Sequence, residues 1–175
     1  MLSKQMEASL NEQIALEGYA SFLYLSMASW CEKKTLTGCS SFMFRQSEEE
    51  RQHMLRIFHY INDMGDHALT PAIPQPKYDW ASIQELFNEV YAHEQMVSES
   101  IDRLVAQSYD EKDHKTLAFL QWYVEEQREE ETLMRTILDR INLIGDGPQS
   151  LYYIDKEISA INKKQIAQET AQGGE

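Results

Sequence analysis

Cysteine, proline and glycine are all scarce in this chain, with 2, 4 and 7 copies in 175 residues. So few breakers favour long, ordered helices. Cys31 and Cys39 have seven residues between them, a spacing that fits no zinc or redox motif, so both read as reduced thiols of a reducing compartment. No apolar run is long enough to span a bilayer, and the start of the chain, Met1 to Glu7, lacks the apolar stretch of a secretory signal. The expectation is a soluble, cytoplasmic protein with no membrane partner. Positive charge is also in short supply: 16 basic residues face 29 acidic ones, a net charge of -13. That balance disfavours nucleic acid as a partner and favours cations.

What the chain does have is helical periodicity, with 42% hydrophobic residues, enough for one domain with a proper core. A first helix, from about Ser3 to Lys33, carries the stripe Leu10, Ile14, Glu17, Ser21, Tyr24, Ala28, Cys31, so Glu17 puts a carboxylate where the core should be. A second stripe, Tyr19, Phe22, Leu23, Met27, Trp30, exceeds what a four-helix core needs and points to a subunit interface. The second helix, from about Cys39 to Met64, ends at Gly65 and turns Phe42, Gln46, Glu50, His53, Ile57 and Tyr60 inward. The third, from about Ser82 to Ser108, presents Phe87, Val90, Glu94, Val97 and Ile101. The fourth, ending near Leu143, presents Leu120, Tyr123, Gln127, Glu130, Met134 and Ile137.

Residues 67–81 hold three of the four prolines and cannot be helical throughout. A helix of about 26 residues is roughly 40 Å long and a linker of about 15 extended residues reaches roughly 50 Å, so this linker can cross the whole bundle. Helices two and three can then run parallel. After Gly145 to Pro148 the chain enters a final helix with Leu151, Ile154, Ile158 and Ile161 on one side. At about 12 residues it is marginal alone and must pack on something. The predicted fold is all-α: a four-helix bundle with one long crossover and a short fifth helix, as one domain over 1–162 followed by a polar, loose tail over 163–175.

Glu50 and His53 lie three apart on the inward face of helix two, so a carboxylate and an imidazole can address one point. Alone, such a pair means little. Glu17, however, lies 19 residues before Leu36, while Glu50 and His53 lie 14 and 17 after it, so the first hairpin sets all three at one level. In the second hairpin Glu94 lies 17 residues before Glu111, and Gln127 and Glu130 lie 16 and 19 after it. All four helices therefore deliver an inward polar group at one height. Facing buried carboxylates repel and take up protons unless cations lie between them. Four glutamates with one histidine and one glutamine suit two divalent ions sharing a carboxylate, with iron or manganese favoured over a thiolate zinc site. The other reading of the layer is a hydrogen-bonded polar belt that sets helix register.

Through Glu17, Tyr24, Glu50-Arg-Gln-His53, Ala92-His-Glu94-Gln, the run from Phe119 to Glu130, and Leu151-Tyr-Tyr-Ile-Asp-Lys-Glu157, the chain resembles a bacterial non-heme ferritin over essentially its whole length. The resemblance implies that Glu17, Glu50 and His53 hold one iron, that Glu50, Glu94 and Glu130 hold a second, and that Gln127 lines the site. Glu49, Glu126 and Glu129, with Glu130, match the third iron site of such ferritins. Tyr24 would be the redox-active or hydrogen-bonding tyrosine and Trp122 its aromatic neighbour. Implied too are oxidation of Fe(II) by dioxygen or hydrogen peroxide, ferric storage, a homo-oligomeric shell of 24 subunits, and a fifth helix lining four-fold channels. No heme is expected: Gln127 and Glu130 replace the second Glu-x-x-His of bacterioferritins, and Gln52 stands where their heme-ligand methionine falls. Ser47, Glu48, Glu125 and Glu131 are assigned to solvated faces, and His59, His67, His93 and His114 to surface or hydrogen-bonded positions. Two other functions stay open on the residues alone: a diiron redox enzyme or oxygenase without storage, and a non-catalytic helical interaction protein.

Overall fold

The computed structural model describes residues 1–172. Five helices follow in order: α1 Lys4–Lys33, α2 Thr37–Asp63, α3 Ile83–Asp110, α4 His114–Ile144 and α5 Ser150–Gln172. Ser3, Ser82 and Asp113 cap α1, α3 and α4 by accepting from Met6, Glu85 and Thr116 amides, which supplies partners the first turn lacks. Tight hairpins join α1 to α2 and α3 to α4, with Thr35 and Lys112 in the left-handed region at the two turns.

The long connection does cross the bundle, and its hydrogen bonds trace the path along α1. At the near end Leu2 donates to Asp66 and Leu69 donates to Asn11; at the far end Ser26 donates to the Lys77 carbonyl and Trp30 to Asp79. Helices α2 and α3 are thereby parallel. Part of the second apolar stripe of α1 is already buried inside the subunit. Leu23, Met27 and Trp30 are buried within the subunit, Trp30 edge-on to Trp80, whereas Phe22 remains 52% exposed.

Two apolar layers fill the interior. One gathers Met27, Phe42, Phe87 and Met134 toward the α5 end, and the other gathers Leu10, Ile57, Ile101 and Leu120 toward the opposite end. The inward polar side chains occupy the level between them. Register there is fixed by reciprocal bonds: Ser21 donates to the Ser47 carbonyl and Ser47 to the Ser21 carbonyl, both at 2.7 Å. Ser47 is thus buried in the α1–α2 seam, not on a solvated face, because its small hydroxyl can satisfy a close approach of two backbones.

Helix α5 is 23 residues long, well beyond its apolar stripe, so the segment from Lys163 assigned to a loose tail continues as helix to Gln172. Residues 163–172 hold only Lys, Gln, Ile, Ala, Glu and Thr, with no breaker before Gly173. The last three residues of the tail, 173–175, lie outside the described residues. Asp155 fastens α5 to the start of α2, its carboxylate accepting from the Gly38 and Cys39 amides at 3.1 and 2.8 Å. Gly38 makes this approach possible: a Cβ there would meet the Asp155 carbonyl oxygen at 2.3 Å. Both cysteines are free and buried beneath this contact, with burial pushing the Cys31 thiol up to about 12. Among the described residues no helix is long and apolar enough to cross a membrane.

Candidate metal centre

Glu17 on α1 and Glu50 and His53 on α2 each present a ligand atom, all within 4.8 Å of one another, and each residue is at most 3% exposed. His53 Nδ1 lies 3.3 Å from Glu50 Oε2 without hydrogen-bond geometry. Both Glu50 oxygens, Glu17 Oε2 and His53 Nδ1 are buried with no hydrogen-bond partner. A register-setting polar belt would pair these atoms, since each unpaired one costs on the order of 1–3 kcal/mol and more if charged. Unpaired donor atoms converging on one point are what a cation site requires.

Glu94 from α3 and Glu130 from α4 complete the layer, at most 4% exposed, but both oxygens of Glu94 and one of Glu130 already accept hydrogen bonds. The Tyr24 hydroxyl and Gln127 amide donate to Glu94, and Gln46 donates to Glu130 Oε2 at 3.1 Å. Electrostatically the layer is one unit. Burial raises the Glu50 carboxyl well above its ordinary range, with Glu94 and Glu17 adding to the effect. Burial does the same to Glu130, with Glu49, Glu94 and Glu50 as like-charged neighbours. Glu94 is pushed up to about 7 by burial, opposed by the bonds from Tyr24 and Gln127. Burial and Glu94 keep the Tyr24 hydroxyl protonated, so it acts as a donor.

A second group opens on the α2–α4 groove. Glu49, His53 and Glu126 bring ligand atoms within 4.8 Å, and His53 Nε2 lies 3.7 Å from Glu126 Oε1. His53 therefore faces the interior group with one ring nitrogen and this group with the other. The groove, about 560 Å³, is also lined by Arg45, Arg56, His59 and Trp122. Trp122 stands edge-on to His53 at 5.3 Å. Glu129 lies outside both groups; its side chain is 69% exposed, 3.7 Å from Arg128.

A sequence profile for the ferritin family, described as a ferritin-like domain, matches residues 7–144. The chain is 41% identical over 162 residues to a bacterial non-heme ferritin of Escherichia coli, covering 93% of this chain and 98% of that one. It is 43% identical over 161 residues to that of Campylobacter jejuni, covering 92% and 96%. The chain belongs to the ferritin family. Its fold also matches an open-pore ferritin of the archaeon Archaeoglobus fulgidus with a TM-score of 0.88 at 39% identity, over 91% of this chain and 98% of that one.

Gln13 and His93 lie off the inward stripes of this ferritin's centre, and Gln46 lies on one without its partner being marked. Gln13 donates to Glu17 Oε1 at 2.9 Å, and Gln46 plays the matching part for Glu130. The available signal is spacing: each glutamine stands four residues before an inward glutamate, Glu17 or Glu50, hence one turn below it. His93, assigned to the surface or to a hydrogen bond, is neither. It is 7% exposed with Nε2 unpartnered, and packs between the rings of Tyr19 and Tyr24 at 5.9 and 6.0 Å. The physical reason is its place one residue before Glu94, on the side of α3 that meets α1.

Proposed function

We infer that this protein is an iron-storage ferritin that oxidises Fe(II) at the carboxylate layer and keeps the ferric product inside an oligomeric shell. The observation that carries this reading is the convergence of buried, unpartnered oxygens of Glu17 and Glu50 with His53 Nδ1. The same observation disfavours a plain interaction protein, for which such groups are pure cost. Storage instead of substrate oxygenation follows from membership of the ferritin family.

Iron is the substrate here. Glu17, Glu50 and His53 take one ferrous ion; Glu50, Glu94 and Glu130 take the second, with Gln127 and Tyr24 positioning Glu94. Four carboxylates balance the charge of two divalent ions. Each ion gives up one electron, and the pair of electrons with two protons reduces dioxygen to hydrogen peroxide, or hydrogen peroxide to two waters. Holding both ions beside one oxidant turns a termolecular encounter into a local one. The ferric pair then carries two charges more than the carboxylates balance, which favours its departure toward Glu49 and Glu126. Glu129, further out along α4, belongs to that outward route in this reading. The shell has 24 subunits, works in the cytoplasm and needs no heme. Exposed apolar side chains such as Phe22, Tyr78, Leu151 and Tyr152 support burial in such an assembly.

Adding ferrous iron to the purified protein in air, while following ferric absorbance and particle size, tests the function. A large particle that goes on accumulating ferric iron far beyond its ligand number is expected. A small particle that stops at stoichiometric iron would overturn storage.

A further inference from the structure

The groove side of the centre already contains a cation. Arg45 stands one turn before Glu49 on α2, and its side chain is only 15% exposed. Its Nε donates to Asn162 Oδ1 on α5 at 2.7 Å, one terminal nitrogen donates to Glu49 Oε2 at 2.8 Å, and the other to Gln46 Oε1 at 3.0 Å. The Phe42 ring lies under the guanidinium, 5.5 Å from centroid to Cζ. Asn162 is 5% exposed, so this is a built contact and not a surface encounter. Gln46 in turn donates to Glu130 Oε2 at 3.1 Å. A single side chain thus links α5, the interior layer and the groove group.

A guanidinium never loses its charge at physiological pH. Glu49 therefore meets any incoming metal already paired. We propose that Arg45 is an internal counter-ion that competes with iron for Glu49: a metal ion held by Glu49, His53 and Glu126 has to displace the guanidinium, and Asn162 on α5 sets how firmly the guanidinium stays. This rests on the reading of the layer as an iron-oxidising centre. The consequence for that function is a groove group that acts as a weak relay and not a trap. Ferric iron that bound there without competition would stop at the groove; with Arg45 poised to take Glu49 back, it is passed on. Because α5 is also fastened to α2 through Asp155, the grip of Asn162 on Arg45 depends on how α5 is seated.

Tb(III) alone is a suitable probe, because Trp122 lines the same groove and sensitises its luminescence when the ion sits there. In titrations of the assembled protein, Arg45→Met should move the Trp-sensitised midpoint to an about tenfold lower concentration, within the usual range for coupling between two binding events. Asn162→Ala should move it about threefold the same way. Adding Glu49→Gln to Arg45→Met should abolish the gain. A midpoint at or above the wild-type value in Arg45→Met, with particle size and circular dichroism native, overturns the proposal. Should Arg45→Met fail to assemble, Arg45→Lys decides: it keeps the charge but lacks the fork that reaches Asn162 and Glu49 together, so an intermediate shift supports competition and no shift overturns it. A wild-type shift in Asn162→Ala removes the α5 part. Ferrous oxidation by the same wild-type preparation separates the two claims: no ferric product sinks the ferroxidase reading, whereas normal product with no Arg45 effect sinks only this one.

Discussion

The interior group and the groove group share His53, yet they are opposite in how their charges are balanced. Inside, Glu17 and Glu50 have buried oxygens with no partner, so the fold leaves their balance to cations. In the groove, Glu49 is paired with Arg45 and sits in a partly open wall. In the proposed function the first group takes up metal and the second releases it. Acidity alone does not make the distinction, because both groups are glutamates around one imidazole. Burial and the presence of a resident guanidinium make it.

The largest effect is expected at Glu50, which two ions share in the proposed function. Glu50→Ala should lower the fast phase of ferrous oxidation by more than about a hundredfold in stopped-flow absorbance, well beyond the loss from a supporting residue. An intact fast phase would remove Glu50 from the centre. Next comes His53, the residue common to both groups. His53→Ala should slow the fast phase about tenfold or more and also weaken Tb(III) binding in the groove, whereas a loss confined to one group would separate them. Glu126→Ala should leave the first turnover in place and slow later ones by about threefold, read as the ratio of first-phase to steady-state rate.

The pH dependence of the metal-free protein sharpens the same contrast. Glu94 is pushed up from an ordinary 4.5 to about 7, so between those values the folded layer holds a proton that the unfolded chain has lost. Its stabilising contribution is fully present below pH 4.5 and is lost as the pH rises through about 7. Melting of the metal-free wild type should therefore fall across that window relative to Glu94→Gln, and added divalent metal should restore it; parallel curves would mean that the layer carries no such strain. The smallest effect is expected at Glu129, exposed and near Arg128: Glu129→Ala should change the fast phase by less than about twofold, as surface charge pairs contribute little.

Much of the centre is legible in the sequence because each helix writes its inward face in apolar residues, and Glu17, Glu50, Glu94 and Glu130 interrupt those rows at matching distances from the turns. The crossover is legible for a similar reason, since prolines mark it and its length fixes what it can span. The partners of the ligands are harder to read. Gln13 lies off the inward stripe of α1 and Gln46 on that of α2, and only the structure shows which carboxylate each one serves. Arg45 and Asn162 are 117 residues apart, and no local pattern joins them. The extent of α5 is hidden because its apolar stripe stops before its helix does: beyond Ile161 the helix is carried by propensity, a weaker signal than periodicity. The burial of His93 likewise depends on how α3 lies against α1.

In the proposed function the layer binds iron in pairs, so that two electrons leave together. The most direct test of this pairing loads the wild-type protein with increasing ferrous iron under anaerobic conditions, mixes it rapidly with oxygenated buffer, and plots the amplitude of the first ferric phase against iron per subunit. A break at two iron ions per subunit is predicted; a break at one, or no saturable first phase, would contradict it.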